Sequence, residues 1–360
     1  MEQTHKNEIA AAIIGSIQML LTGNPDHIAQ AEERLMGLQS SPTWKENLMV
    51  YTELASNEDA QVSLISYIQI KYILKQNAKY LDNDELKGII KHLFVQKAKI
   101  VGPVIPTYSD LIGIALFQLF VGGQEAYVLD AAKELIQGIS PILVEAFNKG
   151  FTNNDLEVHL LVLLSLGECL LSEKSYMNET QKASMKIFYQ TLKPEIQKTT
   201  TGYLEFLKLI VDGIEKLNEY NRNKVQENNT LYFGLLKIFV RECNETKELY
   251  NCFTDFPTMV LNCVSAFFDN QDVFEFIIDI LGSYFVLMNS SLDYMKNSFD
   301  FLAKNLTFML TLTGVPKVVK SLSEVILSKV EQRRHPDYCS EFHFKDFVYT
   351  IPGHGRLPVH

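Results

Sequence analysis

Signals for β-structure are nearly missing from this chain. No Asn-Gly or Asp-Gly stands between alternating apolar runs, so tight hairpins are not expected. Proline and glycine are scarce, at 11 and 18 of 360 residues, and they fall mostly between apolar-periodic stretches. That distribution suits helices joined by short turns. Basic residues are in the minority, 33 against 43 acidic, for a net charge of −10. An acidic surface argues against non-specific nucleic-acid binding, which needs Lys and Arg to displace phosphate counterions. It suits basic protein partners through association rate. The five cysteines (Cys169, Cys243, Cys252, Cys263, Cys339) form no C-x-x-C and no even framework, which points to free thiols in a reducing compartment. No run approaches the ~20 apolar residues of a membrane span. Ile9 to Leu21 is apolar, but Glu2 and Glu8 precede it and Gln18 interrupts it, so it does not read as a signal peptide. The sequons at Asn178, Asn244 and Asn305 read as chance matches.

Catalytic signatures are missing as well. No G-x-x-x-x-G-K-[ST] cradles a phosphate, no G-x-S-x-G forms a nucleophile elbow, and no H-E-x-x-H offers zinc ligands. Neither a His-Asp dipeptide, in that order, nor a D-D-x-x-D is present. The expectation is a protein without enzymatic activity and without a cofactor.

What is there is a rhythm of apolar stripes, within a hydrophobic content of 47%. A first helix is expected over about 7–21, closed by Gly23-Asn24-Pro25. Asn24 reads as the cap of the second helix, with Pro25 at its first position. That helix carries Ile28, Ala31, Leu35 and Leu38 on one face. Ser41-Pro42 reads as a second cap-then-proline start, ahead of Trp44, Leu48, Tyr51 and Leu54. From Glu58 to Lys75 the apolar positions go nearly all round, as in a helix with neighbours on most sides. Asp82-Asn83-Asp84-Glu85 reads as a capping box rather than a metal site. Gly102-Pro103 breaks the chain before a helix that ends near Gly122-Gly123.

Further pairs are expected at 124–148 with 154–171, 178–193 with 202–219, 230–243 with 257–268, and 271–287 with 291–313. Asn153 to Asp155, Asn178 and Asp255 sit where caps are needed. A last helix runs from Gly314-Val315-Pro316 to about Arg334. First helices recur about every 35 to 55 residues, bracketing the roughly 40–47 of the two-helix HEAT repeat. Each pair alone leaves a face exposed, and stacking covers it. The expected fold is therefore all-α, a right-handed α-solenoid (superhelix) of about seven to eight HEAT-type pairs. Residues 335–360 carry no helical stripe and read as an irregular tail. There His335, Cys339 and His343 lie four apart, with His354 beyond. Pro336 and the missing C-x-x-C argue against zinc. His159 reads as a core-edge histidine, and Cys169 and Cys263 as buried thiols.

The N-terminal part resembles the importin-β N-terminal domain of nuclear transport receptors. Ala31-Glu32-Glu33-Arg34-Leu35, Leu38 and Ser41-Pro42-Thr43-Trp44 are similar to that family's opening pattern. Asp59 to Ile73, with Gln69-Ile70-Lys71, resembles the inner helix of its second repeat. Gly102-Pro103-Val104-Ile105-Pro106-Thr107, leading into Leu111 to Leu116, looks closest to the transportin-3/importin-13 branch. The resemblance spans about 26–120, and beyond it only the rhythm continues. It departs at Ser66 and Tyr67, where the family carries small residues.

The resemblance implies three segments: repeats 1–3 over 1–122, further repeats over 123–334, and the tail at 335–360. The chain then reads as an N-terminal arch, truncated or spliced, with the tail as a foreign end. The resemblance also implies a carrier shuttling between cytoplasm and nucleus, with no membrane insertion and no direct nucleic-acid contact. Inner helices of the first repeats would hold Ran-GTP, outer-helix grooves the phenylalanine-glycine (FG) repeats of nucleoporins, and the concave surface a protein cargo. By position the Ran-facing candidates are Glu32, Glu33, Gln69, Lys71, Tyr72, Lys75, Tyr108, Asp110 and Gln118. The competing readings are a HEAT scaffold for a cytoplasmic complex, such as a phosphatase scaffold, and an all-α enzyme.

Overall fold

The computed structural model describes residues 3–96, 100, 102–150, 154–213, 217–243, 348–351 and 355–358. The helices expected at 257–268, 271–287 and 291–313, the helix to Arg334 and the His335, Cys339, His343 and His354 group lie outside them. Every described element up to Cys243 is helical. These are α1 Gln3–Leu20, α2 Pro25–Ser40, α3 Trp44–Leu54, α4 Ala60–Asn77, α5 Asn83–Gln96 and α6 Val104–Val121. Then come α7 Glu125–Lys149, α8 Asp155–Ser172, α9 Glu179–Gly213 and α10 Glu219–Cys243. The described chain divides into two compact units, 1–135 with 154–188, and 136–153 with 189–360.

In the first unit the helix ends follow local chemistry. Asn24 accepts from Asp26 N at 2.9 Å with Pro25 behind it, as the sequence implies. Asp59 caps α4 through Gln61 N at 2.9 Å. Asp82 and Glu85 form a reciprocal box: Glu85 N donates to Asp82 Oδ1 at 2.8 Å, and Asp82 N donates to Glu85 Oε2 at 2.9 Å. Asn178 and Gln181 do the same at the head of α9, at 2.8 and 3.1 Å. Such boxes satisfy backbone N–H groups that lack partners in a first turn.

Ser41-Pro42 is not a cap. Helix α3 starts at Trp44 behind Thr43, which makes no side-chain cap, and the Ser41 hydroxyl turns back to the Leu38 carbonyl at 3.1 Å. Asn154 likewise precedes α8 without a side-chain cap bond.

Helices pack as sequence neighbours, α1 on α2, α3 on α4 and α5 on α6. They also form two rows. The second helices α2, α4, α6 and α8 touch in order, as do the first helices α1, α3 and α5. Helix α6 is the centre, with 13 of its 18 residues buried. It is long and apolar enough to cross a membrane by length and composition, and 72% of that stretch is buried in the protein. Burying each Leu, Ile or Phe there contributes about 1.5–3 kcal/mol relative to exposure. Gly113 lets α8 approach α6: a Cβ there would lie 2.6 Å from Ser165 Cβ and Oγ. Phe120 meets Phe188 edge-on at 5.6 Å.

The second unit corrects two expectations: the helix expected at 230–243 starts eleven residues earlier, at Glu219, and an expected pair is one helix. Residues 178–193 and 202–219 do not form two helices; α9 runs unbroken through Pro194 for 35 residues. A mid-helix proline costs about 3 kcal/mol. Here one buried stripe continues past it, through Tyr189, Leu192, Ile196, Tyr203, Phe206 and Ile210. The threonines beyond it are accommodated, because Thr200 and Thr201 donate back to the Ile196 and Gln197 carbonyls at 2.8 and 3.2 Å. Tyr203 and Tyr232 stack at 4.0 Å, with Thr200 bonded to the Tyr232 hydroxyl and Tyr203 to Asn229.

Within the C-terminal segment, where no regular element was expected, β1 Val348–Ile351 pairs antiparallel with β2 Gly355–Pro358, Val348 opposite Pro358.

Candidate functional site

The second-helix row of the first unit carries most of the sequence candidates. Glu32 and Glu33 stand exposed on α2. Lys71 of α4 forms an ion pair with Asp110 of α6, both partly exposed. Tyr72 is 50% exposed, and Lys75 one turn on from Lys71 is exposed too. Gln118 is half-buried.

Two candidates are not on a surface. Tyr108 is fully buried, its hydroxyl donating to the Leu93 carbonyl of α5 at 2.9 Å and its ring edge-on to Tyr67 at 5.6 Å. Burial first, then the Tyr67 and Asp155 charges, push its phenol well above the ordinary tyrosine range. Tyr67 itself is pushed up to about 12 by burial. Gln69 is 8% exposed and accepts from the Gln39 side-chain amide. Carrying a face over from α4 to α6 fails because α6 has helices on more sides. Its near-continuous apolar run, Leu111 to Phe117, is the signal that marks Tyr108 as core.

Cys169 of α8 is half-buried, where full burial was expected. Its thiol is pushed up to about 11, by burial first and then by Asp110, with Lys75 opposing and Glu168 and Glu173 adding. A thiol held protonated is a poor nucleophile. The same charges extend the candidate surface onto α8, where Glu168 is exposed. No motif around Glu168 pointed to it.

The first-helix row carries grooves on both sides of α5, and Gly88 lines both. The α3/α5 groove, about 350 Å³, has an apolar lining of Leu48, Met49, Leu81 and Ile89. Its charges are compensated, Lys45 by Glu85 at 2.9 Å and Glu53 by Lys6. The α5/α7 groove is larger, about 740 Å³. Phe94, Val95, Ala131 and Leu135 form its apolar part. His159 of α8 also lines it and is 7% exposed. Its Nδ1 lies 2.6 Å from the Asp155 carbonyl, which only accepts, so that nitrogen carries the proton. This agrees with the core-edge reading. Lys87 and Lys91 project from α5, and Asp130 and Glu134 from α7. Burial and then Glu134 raise the Tyr127 phenol in the same groove.

Among the described residues no three His, Cys, Asp or Glu side chains are grouped to hold a metal ion. The chain matches no protein-family profile, no characterised protein and no solved structure.

Proposed function

We propose that the chain is a nuclear transport receptor, or the N-terminal arch of one. In this reading its helix pairs form a right-handed HEAT-type solenoid of about seven to eight pairs. It binds Ran-GTP through the second-helix row and FG nucleoporins through apolar, charge-compensated grooves of the α3/α5 kind, and it carries protein cargo between cytoplasm and nucleus without catalysis. The observation that supports it best is the ordered row α2, α4, α6, α8, with Glu32, Glu33, Lys71, Tyr72, Lys75 and Asp110 partly or fully exposed along it. Charged groups spread over consecutive helices can grip a broad protein face and steer its approach. The compensated, apolar α3/α5 groove suits an uncharged aromatic side chain, and many such weak contacts sum through multivalency.

The test is co-elution of the full chain with Ran loaded with GTP or with GDP. Binding restricted to the GTP form is the expected result. Indifference to the nucleotide, or no binding, would overturn the reading in favour of a HEAT scaffold.

A further inference from the structure

We propose that the α5/α7 groove is a docking site for an amphipathic helix of a partner protein, apolar face inward, with one acidic and one basic flank. This stands apart from the Ran and nucleoporin reading, since it uses neither the second-helix row nor an uncharged ligand. The groove is walled by two like-charged ladders. Lys87 and Lys91 stand four apart on α5, Asp130 and Glu134 four apart on α7, and all four line the cavity. Like charges at that spacing destabilise their own helix slightly. Among the described residues no ion pair joins the ladders, although their signs are opposite, and Lys91, Asp130 and Glu134 are exposed. Lys87 reaches Gln124 Oε1 at 2.7 Å and lies over the Tyr127 ring at 5.4 Å, near one end of the groove. Tyr127 and His159 are the other titratable groups facing it.

One turn beyond Lys91 on the same face of α5, Val95 is 71% exposed, and Phe94 next to it is half-buried. A helix laid between α5 and α7 would cover them with apolar side chains, the helix-in-groove mode of recognition. Its acidic flank would meet the α5 lysines and its basic flank the α7 carboxylates, neutralising both ladders at once. An FG segment would cover the floor and leave all four charges unmatched. A helix with one sign on both flanks would satisfy one wall and repel the other.

The experiment titrates the full chain, by fluorescence anisotropy, with three designed helices of about five turns. They share one apolar face and differ in their flanks: one acidic and one basic, both acidic, or both basic. The mixed-flank helix should bind about tenfold tighter than either other one, and weaken as salt rises. Lys87→Glu with Lys91→Glu should move the preference to the doubly basic helix. Adding Asp130→Lys with Glu134→Lys to that chain should restore the mixed helix. Because Lys87 is half-buried, a second pair of chains, Lys91→Glu alone and Lys91→Glu with Glu134→Lys, repeats the reversal at exposed positions, with circular dichroism reporting folding. Three helices binding alike, no binding, or an order that ignores the reversals overturns the proposal. Displacement of the mixed helix by an uncharged FG peptide also overturns it. Ran binding of the same chains, read separately, keeps this result apart from the transport reading.

Discussion

The two helix rows of the first unit are packed to different standards. In the second-helix row α6 and α8 approach so closely that a Cβ at Gly113 would lie 2.6 Å from Ser165 and 3.0 Å from the Leu166 backbone nitrogen. In the first-helix row a Cβ at Gly88 would meet nothing within 4 Å, and grooves of about 350 and 740 Å³ open on either side. Close packing gathers the dispersion and burial that stabilise the unit. Open packing leaves side chains free to meet something else. The difference assigns stability mainly to one row and recognition grooves to the other, and it fixes where a substitution will be felt.

The largest effect should come from Gly113→Ala. The new methyl group meets helix backbone that cannot move cheaply, so a loss of about 3 kcal/mol is expected in denaturant titration. A neutral result would mean that the two rows are packed alike. Tyr108→Phe should cost about 1–1.5 kcal/mol, because the buried Leu93 carbonyl loses its donor. Asp82→Ala removes half of the α5 capping box while Lys45 still holds Glu85, for a loss of about 1 kcal/mol in the same titration. Gly88→Ala, the counterpart of the first substitution, should raise stability by about 0.5–1 kcal/mol, since the site is helical, exposed and unobstructed. Thermal melting of the two glycine variants side by side is the sharpest check on the contrast. Lys71→Ala should matter least, below about 0.5 kcal/mol, because solvent screens its pair with Asp110, and high salt should erase the difference.

Helix positions were largely legible in the sequence where chemistry is local. Asn24-Pro25, the Asp82/Glu85 box and Asn178 mark starts that the backbone obeys, because an unsatisfied first turn needs an acceptor nearby in sequence. The break expected between 193 and 202 was not legible as continuous helix, since the local cost of Pro194 is outweighed by a buried stripe that only packing reveals. The candidate surface was legible in part. Exposed Glu32, Glu33, Tyr72 and Lys75 could be placed from α2 and α4 alone. Tyr108 and Gln69 could not, because their burial depends on neighbours from other helices.

By itself the sequence determined that the described N-terminal region would be helical and where most of its helices begin, through apolar periodicity and caps, which act within a few residues. Only the tertiary structure decided that Lys87 and Lys91 would share a groove with Asp130 and Glu134 without pairing to them. The spacing of α5 from α7 depends on side chains far apart in the chain, and no local pattern encodes a gap between two helices.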